Sequence, residues 1–368
     1  MATILTCYYR PKPGGFCKRL FRAIDALLDQ GHTVHYLAII PFPIQHDHCH
    51  FHRFPWPDTW PNGLFFWAWF HLLAPLYLLV IGTRIRCTHL FAFASTYALL
   101  LKPLQAIRRL PLSVFIRADP LVNHELAGRK PWLIKLERTL EYLSLINTRC
   151  YAVSQSLAST IIRRHNFSQK INIRVFPNDL PTLAITTTRQ ATPTSVHLAC
   201  VGILEPRKNI ELVLHAVALT PASIVLDIYG TGPDLPHLSV MADRLNLANR
   251  AFFHGWIQGN QFWEHIDLLL MPSKHEGAPN AVLEALAAGI PVLASDIPEH
   301  REVLPADCLL QLDEPQFWTS KIISVIYDNQ TRSIILSKQL EHAARFRFDW
   351  NEMITKIITC RNNDTQSA

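Results

Sequence analysis

Between Ile266 and Ala294 the chain reads as one uninterrupted β-α-β unit. An apolar run of strand length, Ile266 to Met271, leads into a loop, then a helix that Asn280 caps and Gly289 ends, and a second apolar run resumes over Pro291 to Ala294. Strands joined through a helix of this kind are parallel neighbours, and parallel strands belong to sheets covered by helices on both faces. This excludes all-helical and antiparallel architectures. It also puts the loop Pro272 to Pro279 at a strand's carboxyl end, where open α/β sheets bind ligands.

That loop carries chemistry. In Ser273-Lys-His-Glu276-Gly277-Ala278-Pro279-Asn280-Ala-Val-Leu-Glu284 two carboxylates flank a helix N-terminus. The free N–H groups and positive dipole end of a helix start favour an anion such as a diphosphate. Glu284 lies four residues past Asn280 and so faces the same way as that N-terminus. A carboxylate suits vicinal hydroxyls rather than phosphate, so Glu284 fits a ribose and Glu276 a sugar ring. The pattern describes a nucleotide-sugar pocket.

Upstream, Val196 to Val201 reads as a strand that opens into Gly202-Ile-Leu-Glu-Pro-Arg207-Lys208-Asn209, followed by a periodic helix from Ile210 to Leu219. Alone, the Arg-Lys pair would be a solvated turn. Beside the carboxylate loop it reads as a phosphate site, with arginine supplying a planar fork and lysine a point charge.

On these residues the chain resembles a retaining glycosyltransferase of GT-B fold, glycosyltransferase family four. Glu276 and Glu284 match the family's E-x7-E motif, and the segment from Gly202 to Asn209 matches its Gly-x-Leu-x-x-x-Lys-Asn-like stretch. Weaker matches in order are Pro11-Lys-Pro-Gly14-Gly15, Tyr151-Ala-Val-Ser154, Val175-Phe-Pro177-Asn178, Tyr229-Gly230-Thr-Gly232 and Phe253-His-Gly255-Trp256, and they extend the cover to most of the chain. The resemblance implies two Rossmann-like domains facing a cleft and attack on an anomeric carbon with retention. The leaving nucleoside diphosphate would be held by positive groups, with no metal or other cofactor required. Arg207 and Lys208 would neutralise the diphosphate, with the backbone of Gly14 and Gly15 assisting. Glu284 would hold the ribose, and Glu276 with the backbone of Gly277, Ala278, Pro279 and Asn280 the donor sugar. The base would rest near Gly230, Trp256 and Ile257.

The expected organisation is an acceptor domain over 1–180, a Thr- and Pro-rich linker over 181–195, a donor domain over 196–345, and a last helix, 346–368, crossing back to the first domain. Within the first domain, Ala2 to Tyr8 reads as a strand, and Phe16, Leu20, Ile24, Leu27 and Leu28 share one face of the next helix, which Gly31 stops before the strand Thr33 to Ile39. Through residue 180 there are 21 Lys and Arg against 9 Asp and Glu, a net charge of +12; the rest has 14 against 20, a net charge of −6, and the halves together restore the +6 of the chain. A basic acceptor half suits an acidic or lipid-linked glycan acceptor or an anionic membrane surface. No nucleic-acid-binding module is recognisable. The eight cysteines lack paired spacing, which points to free thiols on the cytoplasmic side, and no secretory leader is read at the N-terminus. Asn166-Phe-Ser168 and Asn363-Asp-Thr365 fit glycosylation triplets of the kind that arise by chance.

Three segments stay open. Leu64 to Ile81 is apolar over nearly the length of a membrane span and is followed by Arg84 and Arg86. A span would leave a Rossmann sheet in mid-domain, so a crossover helix or one docked in the membrane interface is expected. His46, His48, His50 and His52 alternate as in a metal-chelating strand, but a solvated loop is favoured. In Ile116-Arg117-Ala118-Asp119-Pro120, where many family members place a histidine, Asp119 is a candidate catalytic residue and Arg117 a phosphate contact, or the two form a structural ion pair; His124 is a lesser candidate.

The expected function is transfer of a sugar from a nucleotide-diphosphate donor to a glycan or lipid-linked acceptor of a cell-surface polysaccharide or lipopolysaccharide. The alternatives are an epimerase of the same fold and a non-catalytic scaffold. A nicotinamide enzyme fits less well, since Pro-Gly-Gly and not Gly-x-Gly-x-x-Gly follows the first strand.

Overall fold

Apolar runs separated by helical stretches build two parallel sheets, each within its own unit of the chain, in the computed structural model, which describes residues 1–12, 14–119, 121, 130–165, 171–182, 195–257, 259 and 261–360. The first unit takes in Met1–Pro177 and the chain from Asp349; the second is Asn178–Phe348. Pro13, Pro120, His124, both glycosylation triplets and residues 183–194 of the expected linker lie outside the described residues.

The first unit runs β1 (Thr3–Cys7), α1 (Gly15–Asp29), β2 (Thr33–Ala38), β3 (Cys49–Arg53), α2 (Leu64–Arg84), β4 (His89–Phe93), α3 (Ser95–Arg108), β5 (Leu112–Ile116), α4 (Pro131–Leu145), β6 (Arg149–Ala152), α5 (Gln155–Arg164) and β7 (Ile173–Val175). Its strands lie in the order β3-β2-β1-β4-β5-β6-β7, all parallel. Strands β4 and β5 are buried at every residue, as expected for sheet interiors covered on both faces. Helix α1 turns Leu20, Ile24, Leu27 and Leu28 inward, and Gly31, at φ 78°, makes the turn into β2.

The second unit runs β8 (Val196–Val201), α6 (Ile210–Ala218), β9 (Ile224–Tyr229), α7 (Leu235–Arg244), β10 (Ala251–Gly255), β11 (Leu268–Met271), α8 (Asn280–Ala287), β12 (Val292–Ser295), α9 (Pro298–Arg301), β13 (Leu309–Leu310), α10 (Pro315–Tyr327) and α11 (Asn329–Ala343). The order is β10-β9-β8-β11-β12-β13. Period-two alternation divides its core between the sheet's two faces: Leu268 and Leu270 pack in one cluster with Leu226 and Trp318, Leu269 and Met271 in the other with Leu283 and Trp263.

The last helix, α12 (Trp350–Thr359), belongs to the first unit. Asp349 caps it, accepting from the Glu352 N–H at 2.9 Å. Trp350 is fully buried, stacks on Phe176 with ring centres 5.6 Å apart, and lies under the guanidinium groups of Arg19 and Arg22. Asn178, Asp179 and Leu180, read from the sequence as the end of the first half, stand in the second unit, where the Leu180 N–H bonds the Phe346 carbonyl at 2.7 Å.

The histidine run departs from expectation in its second half only, His46 and His48 lying before the strand. His50 and His52 lie in β3 rather than in a loop, because pairing with β2 satisfies their backbone groups. His35 on β2 faces them, its Nδ1 2.9 Å from His52 Nε2. Among the described residues no cluster of three or more ligating side chains is arranged to hold a metal ion.

Candidate functional site

In each sheet the chain reverses its winding direction once. The reversal falls between β8 and β11 in the second unit and between β1 and β4 in the first. Strands adjacent at such a point send their loops to opposite sides, leaving a crevice at their carboxyl ends. The Gly202–Asn209 loop follows β8 and the Pro272–Pro279 loop follows β11, so two motifs far apart in sequence become neighbours. The Lys274 N–H ties them by donating to the Arg207 carbonyl at 2.8 Å.

Glu276 is the centre of the site. Its side chain is 6% exposed, and Lys208 Nζ lies 2.5 Å from Oε1, Ser273 Oγ 2.7 Å from Oε1 and Arg207 Nη1 3.2 Å from Oε2. Burial by itself raises this carboxyl; the attraction of Lys208 and then Arg207, with hydrogen bonds from Lys208 and Ser273, overrides it and holds the group at about 2. Arg207 is oriented in turn by Glu205, which accepts from Nε at 2.7 Å, and by the His275 carbonyl at 3.4 Å. The two expected phosphate ligands and the expected sugar ligand therefore form one charge-balanced cluster.

Glycines let the loops approach. Gly230, at φ 138°, follows β9, and a Cβ there would sit 1.8 Å from the Gly202 carbonyl oxygen; at Gly232 it would sit 2.2 Å from the Leu204 carbonyl oxygen. Gly230 forms the seam between strand-end loops. Gly202 gives Lys208 its path, since a Cβ there would meet the lysine Cε at 3.1 Å.

The other candidates spread around this centre. Pro279 takes the capping position of α8 and Asn280 is its first helical residue, a one-residue correction: Asn280 Oδ1 accepts from the buried Asn178 Nδ2 instead of capping the helix. Gly277 and Ala278 line the loop before it, and Glu284 is half-buried one turn along. Trp256 and Ile257, 44% and 41% exposed, follow Gly255 at the carboxyl end of edge strand β10. Gly14, at φ 128° with open space where a Cβ would be, and Gly15 open α1 at the switch point of the first sheet. Asp119, after β5, lies in a buried network: it pairs with Arg164, which also bonds Glu141 at 3.0 Å, while Glu141 accepts from His165 at 2.8 Å.

Sequence reading missed the layer behind Glu276. His300 on α9 is fully buried, donates from Nδ1 to the Ser295 carbonyl at 2.9 Å, and lowers its proton affinity through burial. Ser295 Oγ donates to the Ser273 carbonyl at 2.5 Å, and Ser273 holds Glu276. Neighbouring Glu299 is raised by its burial and by repulsion from Glu276. A four-residue helix after β12 carries no motif, so only the fold brings these groups to the loop.

Comparison with known proteins bears on the family likeness and the fold. Residues 195–328 match the family model of glycosyl transferases group 1. The O-antigen biosynthesis glycosyltransferase WclY of Escherichia coli is 30% identical over 162 residues, 44% of each chain, so this match spans less than half the relative's length. Sucrose-phosphate synthase from Thermosynechococcus elongatus superposes with a TM-score of 0.78 over 96% of both chains at 17% identity. HepE of Anabaena, in complex with UDP-glucose, does so at 0.74 over 97% of this chain and 98% of its own at 19% identity. At such identities the structural likeness establishes fold, two parallel-sheet α/β domains of the GT-B class. Within the second unit, Asn178–Phe348, residues 195–328 carry the likeness to glycosyl transferases group 1.

Proposed function

We propose that this chain is a retaining glycosyltransferase that moves a sugar from a nucleotide-diphosphate donor to a glycan or lipid-linked acceptor in the synthesis of surface polysaccharide or lipopolysaccharide. The observation that carries this reading is the Arg207–Glu276–Lys208 cluster at the switch point of the region similar to glycosyl transferases group 1. In the transfer the bond from the anomeric carbon to the diphosphate oxygen breaks, the bond to the acceptor oxygen forms on the same face, and the acceptor's proton passes to the departing diphosphate. Charge grows on that leaving group, so preorganised cations there lower the barrier.

Each side chain has capacity to spare for that task. Arg207 engages Glu205, His275 and Glu276 through Nε and Nη1, so its Nη2 donors are available for a diphosphate, and Lys208 has three N–H bonds to share. Glu276 keeps both cations in place and retains acceptor capacity on Oε2 for a sugar hydroxyl. Glu284 at the helix start suits the ribose, and Trp256 and Ile257 offer an apolar surface for the base. The likeness to WclY supports the polysaccharide setting, the HepE complex supports a nucleotide-sugar donor and puts uridine first among the bases, and eight free thiols support a reducing, cytoplasmic compartment. The excess of positive charge before residue 180 supports an acidic acceptor.

The test is a thermal-melting panel with uridine-, guanosine- and adenosine-diphosphate sugars. Ligand at a hundredfold above its Kd stabilises the native state by about 2.7 kcal/mol, a shift of several degrees. A shift with one donor that Glu284→Ala removes is expected, followed by a product whose anomeric configuration, read by NMR, matches the donor. Absence of any shift, or an inverted product, overturns the reading; a changed donor sugar without transfer makes the protein an epimerase.

A further inference from the structure

Helix α2 is the one helix among the described residues long and apolar enough to cross a membrane, yet it serves as the crossover between β3 and β4. Phe66, Phe70, Ala74, Leu78 and Gly82 are buried in a stripe at four-residue spacing. The packing is tight: a Cβ on Gly82 would lie 2.4 Å from Leu104 Cδ2 of α3, and Phe70 meets Phe54 edge-on with ring centres 4.9 Å apart. The helix is therefore held flat against its own unit. A soluble crossover helix turns a polar face outward. This one presents Phe65, Trp69, Leu72, Leu76 and Val80, which are 38–67% exposed.

The apolar surface continues onto α4. The connections β3 to β4, β4 to β5 and β5 to β6 all advance in one direction across the sheet, and right-handed crossovers put α2, α3 and α4 on the same face, where α2 packs beside α3 and α3 beside α4. On α4, Trp132, Leu136, Leu140 and Leu143 repeat at helical spacing and are 38–61% exposed. Cations fringe this face: Arg84 at the end of α2 and Arg86 just beyond it, Arg108 and Arg109 at the end of α3, and Lys135 and Arg138 on α4 are exposed. Between β3 and α2 lies a groove of about 500 Å³ whose walls include Leu76, Tyr77, Val80 and Arg84 on the α2 side and His52 and Arg53 on the β3 side, with Arg53 steadied by Asp58 at 3.0 Å. An apolar groove with one arginine on each wall matches the acyl chain and phosphate of one anionic lipid.

We propose that the α2–α4 face is a docking surface for an anionic phospholipid bilayer, with α2 lying in the interface plane and a lipid phosphate held between Arg53 and Arg84. Apolar burial combined with attraction of fringing cations is how a helix rests on a membrane without spanning it. A second copy of the chain is a poorer occupant, because a two-fold contact would bring the same cationic fringe against itself in a half carrying a net charge of +12. The inference stands apart from the donor chemistry, which lies in the other unit.

The experiment is co-sedimentation of the full-length protein with vesicles of phosphatidylcholine alone and of phosphatidylcholine with phosphatidylglycerol, with tryptophan emission recorded in parallel. Binding to the anionic vesicles, a blue shift of emission and weakening by salt are expected. The triple variant Trp69→Ser, Leu72→Ser, Leu76→Ser should lower partitioning by on the order of a hundredfold, and Arg84→Ala by about fivefold. Both variants replace exposed residues and should keep the wild-type circular dichroism and melting point. No sedimentation with either vesicle, sedimentation that both folded variants leave unchanged, or a vesicle-indifferent dimer that the triple variant dissociates would overturn the proposal.

Discussion

Lys208 Nζ and Glu276 Oε1, 68 residues apart in sequence, stand 2.5 Å apart behind the loops that leave β8 and β11, with side chains 12% and 6% exposed. A buried pair of this kind is stabilising only as a pair, since either member alone is a desolvated charge. Lys208→Ala should therefore destabilise the protein by about 3 kcal/mol, read from urea unfolding, and lower kcat/KM by on the order of a hundredfold. The double variant Lys208→Met, Glu276→Leu should recover much of the stability and none of the activity. Equal stability of the single and double variants would show that the pairing contributes little.

Acid should act on the same pair. The folded Glu276 carboxyl stays charged down to about 2, whereas in the unfolded chain it protonates near its ordinary 4.5. Between those values the unfolded state binds the extra proton, so its stabilising contribution is complete above 4.5 and is lost as pH falls toward 2. Lys208→Ala should shrink that acid-dependent loss. An unfolding free energy whose slope below 4.5 is the same in both proteins would contradict the pairing.

A second titration lies higher. Burial first, then the rings of His50 and His52, bring His35 from 6.5 down to about 4. Here too the unfolded chain takes up the proton first, so stability falls as pH drops from 6.5 to about 4. His35→Gln should flatten this upper limb and leave the lower one intact, as chemical unfolding across the range would reveal.

Two glycines with positive φ should respond differently to the same change. Gly230→Ala drives a Cβ to 1.8 Å from the Gly202 carbonyl oxygen and should cost about 3–5 kcal/mol through overpacking and backbone strain. Gly14→Ala meets nothing within 4 Å and should cost only about 1–2 kcal/mol of conformational strain. Comparable melting points for the two variants would be incompatible with the seam between the loops.

Asp119 is expected to behave as a structural residue. Its carboxylate and Arg164 are nearly buried, and Glu141 shares the guanidinium. Asp119→Asn should lower stability by about 2 kcal/mol, less than a lone buried pair because Glu141 remains. The folded variant should keep its kcat; a fall in kcat at unchanged melting point would return Asp119 to the catalytic set.

Legibility in the sequence followed the range of the interactions involved. The strands β8 and β11 and their loops were readable because periodicity, glycine and proline act within a few residues, and Glu276, Arg207 and Lys208 could each be named as candidates from local pattern alone. Their assembly into one cluster was not readable, since β11 had to be placed beside β8 and not beside β10. The readings of Asn280 as a cap and of His50 and His52 as loop residues failed for the same reason: Asn178 and β2 are distant in sequence and compete for those groups.

The parallel α/β class, the basic and acidic halves and the residue types at the strand ends are legible in the chain alone, because these depend on local periodicity and on composition. It takes the folded chain to bring Lys208, Arg207 and Ser273 onto Glu276, to stand His300 and Glu299 behind the loop, and to bury one stripe of α2 while the rest of α2 and part of α4 stay exposed. A hydrogen bond or an ion pair is specific to about an ångström, and which groups come that close is set by strand order and crossover packing rather than by any single segment of chain.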